Sequence, residues 1–325
     1  MKKTLLAMVV AATAAGSVNA AELLKTDTAS VNFYGQLREA IHTSDNDDTG
    51  TSVDNGSSRA GIAASYEISN GLDLVGKVEF YVRGDMSTRK HYIGVSSDTY
   101  GSVVFGKNSP ISDDVYGAEY SYEFGSADKF LYNTALNNNT FWQDNMIKYE
   151  LVKDSYWVKA SYNLPEKSKD STTGVVSQSA YELYELFAGT SFGDLSVHTG
   201  GSIMNDSTGT GSTKYTTYEF TAEYALGDST LGATYAYNKE EEGSADTDSN
   251  AFNLGAMVPV ADKTTVYGGV QFLDEEAEDS DVTKGYAGVE YMFASWGRTY
   301  VEYGYSKTDG SDAENNMAIG ARVYW

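Results

Sequence analysis

Beyond its first twenty residues the chain alternates apolar and polar side chains in short runs, and a period of two marks β-strands rather than helices. Turn residues divide the pattern into sixteen segments: 31–42, 59–69, 72–83, 88–96, 101–107, 144–152, 155–163, 181–192, 195–204, 214–226, 229–239, 249–258, 264–273, 284–293, 297–307 and 315–325. An even number brings both ends of the series to the same side. The connections alternate in length. Asn70-Gly71, Lys153-Asp154, Gly193-Asp194, Gly227-Asp228 and Ala261-Asp262-Lys263 are tight, whereas 43–58, 108–143, 164–180, 240–248, 274–283 and 308–314 are long. A soluble sandwich has no reason to place its long loops at every second connection. A transmembrane barrel does, with short turns at one rim and longer loops at the other.

The two faces of individual segments agree. In 297–307, Thr299, Val301, Tyr303 and Tyr305 form an apolar face, and in 229–239 Leu231, Ala233, Tyr235 and Tyr237 alternate with Gly232, Thr234, Ala236 and Asn238. Lipid outside and water inside require such an apolar-out, polar-in wall. The segment 88–96 fits either register, and Glu39 and Lys90 fall awkwardly on the outward face beside the small Ala60 and Ala64. In the last segment Met317, Ile319, Ala321, Val323 and Trp325 share a face opposite Ala318, Gly320, Arg322 and Tyr324. A strand that ends flush with the chain on an aromatic residue resembles the C-terminal assembly signal of bacterial outer-membrane proteins. Most of those end in Phe, so Trp325 is a mild departure. The resemblance implies recognition by the barrel-assembly machinery.

Composition changes the picture in five respects. Mean hydropathy is −0.39, and past the first segment no run reaches the roughly 18 apolar residues of a spanning helix. Twenty-six tyrosines, 32 glycines and only 3 prolines suit many strands with aromatic interface girdles. Met1-Lys2-Lys3, the apolar run Leu5–Ala15 and Val18-Asn19-Ala20 read as an export signal cleaved after Ala20. That leaves a single barrel domain over 21–325. The formal charge of −23 becomes −23 − 2 = −25 once Lys2 and Lys3 are removed, and so acidic a chain has no footprint for nucleic acid. Without cysteine, disulfides play no part.

Four stretches then resemble the general diffusion porins of Gram-negative bacteria. They are Phe33-Tyr34-Gly35-Gln36-Leu37-Arg38; Ser58-Arg59-Ala60-Gly61 with Asn70-Gly71-Leu72 and Lys77-Val78-Glu79; Arg89 and Tyr92-Ile93-Gly94-Val95 with Tyr100-Gly101-Ser102-Val103-Val104-Phe105-Gly106-Lys107; and Glu123-Phe124-Gly125. The resemblance implies an all-β fold, a 16-stranded antiparallel transmembrane β-barrel with short periplasmic turns, long extracellular loops and an inward-folded constriction loop, here about 108–143. It also implies a homotrimer in the outer membrane of a Gram-negative bacterium, in contact with lipid and lipopolysaccharide. Such a protein passes small polar solutes through a water-filled pore without a cofactor or a chemical step. The family sets a basic wall against loop carboxylates. Arg59 and Arg89 match two wall arginines, and Arg38 replaces a lysine whose own place holds Gln36. A further wall arginine matches near Trp142, a departure that weakens the positive side. Glu123 and Glu119 match the loop acids, with Asp113 and Asp114 as further candidates. Opposed charges across a narrow slot create a transverse field, and fixed charges bias which ions enter. With the chain at −25, moderate cation preference is expected.

Other chemistry finds little support. His42, His91 and His198 are far apart in sequence, with no zinc-ligand spacing, nucleophile elbow or P-loop. Asp45-Asn46-Asp47-Asp48-Thr49-Gly50 begins like an EF-hand loop but has Gly56 where a bidentate glutamate is required, so no metal site is assigned. The acidic runs Asp45–Asp48, Glu240–Glu242 and Asp274–Asp281 read as solvated loop tips. Two alternatives stay open: an oligosaccharide-specific channel using Tyr116, Tyr120, Tyr122 and Trp142 as an aromatic track, and a non-channel adhesin or receptor that works through its acidic loops.

Overall fold

The computed structural model describes residues 20–45, 50–84, 86–115, 117–125, 142–169, 176–179, 181–207, 212–275 and 280–325. Residues 1–19, Tyr116, residues 46–48 and 276–279 of two acidic runs, and residues 126–141 of the long connection lie outside these residues. Sixteen long strands form one antiparallel barrel: β1 Ala29–Ser44, β2 Arg59–Ser69, β3 Leu72–Tyr81, β4 Thr88–Ser97, β5 Gly101–Asn108, β6 Gln143–Val152, β7 Tyr156–Asn163 and β8 Tyr181–Phe192. The series continues with β9 Leu195–Asp206, β10 Thr213–Leu226, β11 Ser229–Glu242, β12 Ala245–Ala261, β13 Thr264–Glu275, β14 Ser280–Ala294, β15 Gly297–Thr308 and β16 Glu314–Tyr324. Each strand pairs with its sequence neighbour, and β16 closes on β1 in a register that runs from Gln36↔Tyr324 to Ser44↔Asn316. All sixteen segments expected from the alternation are present.

The wall is inverted relative to a soluble protein. Leu37, Ile41, Ile62, Phe105, Leu186, Phe220, Phe272 and Ile319 are exposed outward, while Gln36, Glu79, Lys148, Lys159, Glu185, Asn253, Gln271 and Glu302 are buried within. Every strand hydrogen-bonds on both edges around the ring, so no backbone edge is left for lipid to solvate. Two short strands complete β1 beyond its long neighbours. Ala21–Lys25 pairs with residues 30–33 below the end of β16, and Thr51–Asp54 pairs with residues 40–43 above the start of β2.

Asp274, Glu275 and Asp281, expected in a loop tip, are strand residues, with Asp274↔Asp281 and Glu275↔Ser280 in register, and three further details differ from the sequence reading. The acidic run Glu240–Glu242 is strand, not loop. β11 and β12 continue past the expected 240–248 connection and turn through Gly243-Ser244, with Lys239 pairing Asp246 at 2.7 Å. Cross-strand ion pairing there allows charged residues to remain in a ladder. The second difference lies in β4, where the ladder steps from Glu79↔Lys90 to Phe80↔Thr88 and leaves Arg89 as an extra residue. That bulge turns both Arg89 and Lys90 inward, so Lys90 is not on the outward face; Glu39 remains there, exposed. A bulge shifts side-chain parity by one, which is why 88–96 fitted two registers. Third, the connection 164–180 carries its own hairpin, Glu166–Lys169 with Val176–Ser179.

The closing seam depends on one close approach. Trp325 exchanges main-chain hydrogen bonds with Gly35 at 2.8 and 3.1 Å, and its indole lies over that glycine beside Phe33. A Cβ at position 35 would sit 2.6 Å from Cε2 of Trp325 and 2.7 Å from the carbonyl oxygen of Arg59. Gly35→Ala is therefore expected to lower the temperature at which folded barrel converts to unfolded on heat-modifiability gels, by about 1–3 kcal/mol of overpacking. An unchanged transition would show that the indole has room to move.

Candidate functional site

The segment after β5 enters the barrel. A single helical turn, α1 (Ile111–Asp114), has its first amides on a wall carboxylate: Glu185 of β8 accepts from Ile111 N at 2.6 Å, Ser112 N at 3.1 Å and Ser112 Oγ at 2.8 Å. Ile111 and Val115 pack with Trp157 and Phe187 as a small apolar cluster against the inner wall. The chain then crosses to the opposite side. Ala118 N donates to Thr234 Oγ1 at 2.6 Å, Tyr120 N to the Tyr286 hydroxyl at 2.9 Å, and the Tyr120 hydroxyl to Glu223 at 2.7 Å. It lies close to the sheet because Gly232, Gly255 and Gly304 leave bare backbone where Ala118, Tyr120 and Phe124 sit.

Its tip is fastened by Glu302 of β15, which has no solvent exposure. This carboxylate accepts Ser121 Oγ at 2.5 Å, Tyr122 N at 2.7 Å, Glu123 N at 3.2 Å, Phe124 N at 2.8 Å and the Tyr267 hydroxyl at 2.9 Å. Successive main-chain amides converging on one anion form a nest. Here the anion comes from the wall and the nest from the loop. Tyr122 stacks on Tyr300 at 4.5 Å, and its hydroxyl meets Glu290 and Arg298.

Charges on the loop meet charges on the wall in direct contact. Asp114 pairs with Lys148 of β6 and lies 3.7 Å from Lys90. Burial favours its neutral form, but Lys148, Lys90 and Lys159 outweigh that and hold the carboxyl below its ordinary range. Asp113 responds the other way: enclosure and the adjacent Asp114 charge push it upward. Glu123 reaches β15, β16 and β1, where Tyr300 donates to Oε1, Arg322 lies 3.6 Å from that oxygen, and His42 Nε2 is 3.2 Å from Oε2. Glu119 folds back against Gly125 within the loop.

The expected arginines divide into different roles. Arg89 donates to Glu79 at 2.7 Å and is sandwiched between Tyr81 and Trp142, with ring centroids 4.4 and 4.2 Å away. Its side chain is 8% exposed, against 29% for Arg59, which shares Glu79 at 3.7 Å. Arg59 is thus the one of the pair that faces the lumen. Arg38 lies on the inward face and bonds Gln36 Oε1 at 3.2 Å. Trp142, where a further arginine was expected, packs on Arg89. The cations missed by the motif comparison are Lys90, Lys148, Lys159, Arg298 and Arg322, and the wall acids missed as loop partners are Glu185 and Glu302. Parity alone signalled most of them, since Glu302 lies between outward Val301 and Tyr303, and Lys148 between outward Ile147 and Tyr149.

A closed barrel lined with paired charges and crossed by a fastened loop is the architecture that family comparison then identifies. The model of the Gram-negative porin family matches residues 6–311. The chain belongs to the Gram-negative porins. Among curated relatives, the major outer membrane protein of Pasteurella multocida is 30% identical over 147 residues, covering 40% of this chain and 42% of that one. The matched stretch therefore spans less than half of that relative. Outer membrane protein U of Vibrio vulnificus is 27% identical over 258 residues, covering 75% of this porin and 71% of its own length. Among solved structures, OmpT of Vibrio cholerae, an outer membrane protein folded in vitro, superposes with a TM-score of 0.80 at 37% identity, covering 94% of this porin and 100% of that chain. A trimer form of OmpT gives 0.77 at 35% identity, covering 92% and 100%. The family and fold place this porin in the Gram-negative outer membrane.

The raised position of Asp113 has a consequence for a conducting pore. A carboxyl with an elevated pKa is charged at neutral pH and takes up its proton in mildly acidic solution. The ratio of cation to anion permeability is expected to fall as pH is lowered, and Asp113→Asn to show the lower ratio already at neutral pH. Reversal potentials under a salt gradient check this; identical potentials for parent and variant at neutral pH would refute it.

Proposed function

We propose that this porin forms a water-filled channel for passive diffusion of ions and small hydrophilic solutes, with mild cation preference and no chemical step. The observation that carries this is the loop held inside a closed barrel. The described part of the segment, fastened to the inner wall at Glu185 and Glu302, lies inside the ring of strands and carries charged side chains. Asp113, Asp114, Glu119 and Glu123 on the loop, with Arg38, Arg59, Lys90 and Arg322 on the wall, are the groups that bias passage. Arg89 acts from behind, by holding Glu79 and Tyr81 in place.

The two other readings gain less. An oligosaccharide track needs aromatic faces free along the path. Tyr120 and Tyr122 use their hydroxyls to hold the loop on Glu223 and Glu290, and Trp142 is stacked on Arg89. An adhesin needs no charged lining. Catalysis is disfavoured by the placement of His198, which meets Glu219 at 3.1 Å while Thr221 Oγ1 donates to the same carboxylate at 3.0 Å. The histidine is thus not set on a nucleophile.

The trimer reading is supported by the outward face of β3–β6, where His91, Lys107 and Asp144 line a groove with Val78, Phe80 and Thr88. Lys107 and Asp144 pair at 2.7 Å there. Charge on a lipid face is penalised, and a second copy would shelter it, consistent with the trimer form of Vibrio cholerae OmpT. Removal of residues 1–20 on export, recognition of the terminal strand by the assembly machinery and contact with lipopolysaccharide complete the proposal. Planar-bilayer recording of folded protein tests it. Large ohmic steps in groups of three with cation-selective reversal are expected, and folded protein without conductance would overturn it.

A further inference from the structure

Most cations of the basic wall are cancelled where they stand. Arg59 and Arg89 share Glu79, Lys90 and Lys148 meet Asp114, and Lys159 lies 3.8 Å from Glu150. A cation beside its carboxylate acts on a passing ion as a short dipole, whose effect falls off faster with distance than that of a lone charge. Across the lumen Glu302 is bound by neutral donors instead. The loop amides, Ser121 and Tyr267 satisfy its oxygens without cancelling its charge.

Lys77 departs from the pattern of its wall. It lies on β3 with the inward parity of Glu79, two residues nearer the short-turn rim, and pairs in register with Ala63 of β2 and Tyr92 of β4. Among the described residues it makes no ion pair, and its ammonium lies over the Tyr34 ring, 4.8 Å from the centroid. The Tyr34 hydroxyl is turned away to Glu79, to which it donates at 3.0 Å. An aromatic face holds a cation through its quadrupole and carries no net charge to neutralise it. The two carboxylates whose fields reach Lys77 are Glu79 and Asp114, and four other cations already share them. The residue is partly exposed, and the Ala63 and Gly94 beside it on the same face present little side chain to screen it.

Resting on the channel reading above, we propose that Lys77 is a specificity-determining residue of the lumen. Its uncancelled charge holds small anions such as chloride against the basic wall, on the short-turn side of Glu79. By admitting anions it keeps the porin's cation preference moderate, against the uncancelled carboxylate of Glu302 across the lumen.

The test is the K⁺/Cl⁻ permeability ratio from reversal potentials of folded channels at neutral pH. Lys77→Gln is expected to raise the ratio about threefold in about 0.1 M salt, the effect of one unit charge on ions passing roughly 6 Å away. Lys77→Glu changes the charge by two units and is expected to raise it about tenfold. Lys77→Arg retains the charge and is expected to retain the parent ratio. The difference between Lys77→Gln and the parent is expected to shrink in about 1 M salt, where screening acts within about 3 Å. A Lys77→Gln or Lys77→Glu channel with the parent's ratio would overturn the assignment. So would a Lys77→Arg channel that behaves like Lys77→Gln, or a difference that high salt leaves intact, since either would trace the effect to pore shape. Absence of conductance from the folded parent would instead overturn the channel reading itself.

Discussion

Channels carrying Glu302→Ala are expected to pass larger solutes than the parent and to show noisy, fluctuating open levels. Glu302 accepts three consecutive loop amides, one loop hydroxyl and the Tyr267 hydroxyl. Truncation leaves those donors facing a buried methyl group, and each buried N–H without a partner costs about 1–3 kcal/mol. The tip escapes the penalty by leaving the wall for water, taking Glu123 with it. The barrel should persist, since β15 keeps its ladders to β14 and β16. Glu302→Gln should give a milder form of the same effect, because the side-chain amide presents a donor to donors. Liposome swelling with a size series of sugars measures the change. An unaltered size limit in Glu302→Ala would mean that the remaining anchors, among them Glu185, Thr234, Tyr286 and Glu223, suffice to hold the loop.

The second large effect is expected at Glu79. This carboxylate lies within the wall between Arg59 and Arg89 and accepts the Tyr34 hydroxyl at 3.0 Å. Glu79→Gln leaves two guanidinium groups without their counter-charge. Removing one partner of a buried ion pair typically costs about 3–5 kcal/mol. Two observables should move together: the heat-modifiability transition should fall, and the reversal potential should shift away from cation preference, since the lumen loses a negative charge and Arg59 is released. Glu79→Asp should retain the selectivity while recovering only part of the stability, because the shorter side chain keeps the charge but not the contacts. A stability loss with no change in reversal potential would show that Arg59 does not act on passing ions.

The strand count, the alternation of short and long connections and the inward-outward assignment of most side chains were legible in the sequence. They follow from local rules: a strand exposes alternate residues to lipid and to water, and each solvent selects its own chemistry. The same parity placed Arg322 on the inner face without saying what it touches. The bulge at Arg89 was not legible, because one inserted residue changes parity without altering composition, and Lys90 changed sides as a result. The strand character of Glu240–Glu242 was also hidden, since cross-strand partners such as Lys214, 2.9 Å from Glu241, stabilise charges that a single segment reads as loop.

What the sequence by itself determined is the barrel, its sixteen strands and the candidate residues of the lumen, including Asp114 and Glu123 on the long connection. What only the tertiary structure decided is their pairing: Asp114 with Lys148, Glu123 with Arg322 and His42, Arg89 locked behind Arg59, and the loop fastened to Glu185 and Glu302. The reason is the range of the forces. Solvation and backbone hydrogen bonding act on each strand and leave a period in its residues. Ion pairs and loop anchors join groups as far apart as Tyr122 and Arg322, separated by 200 positions, and only closure of the ring brings them within reach.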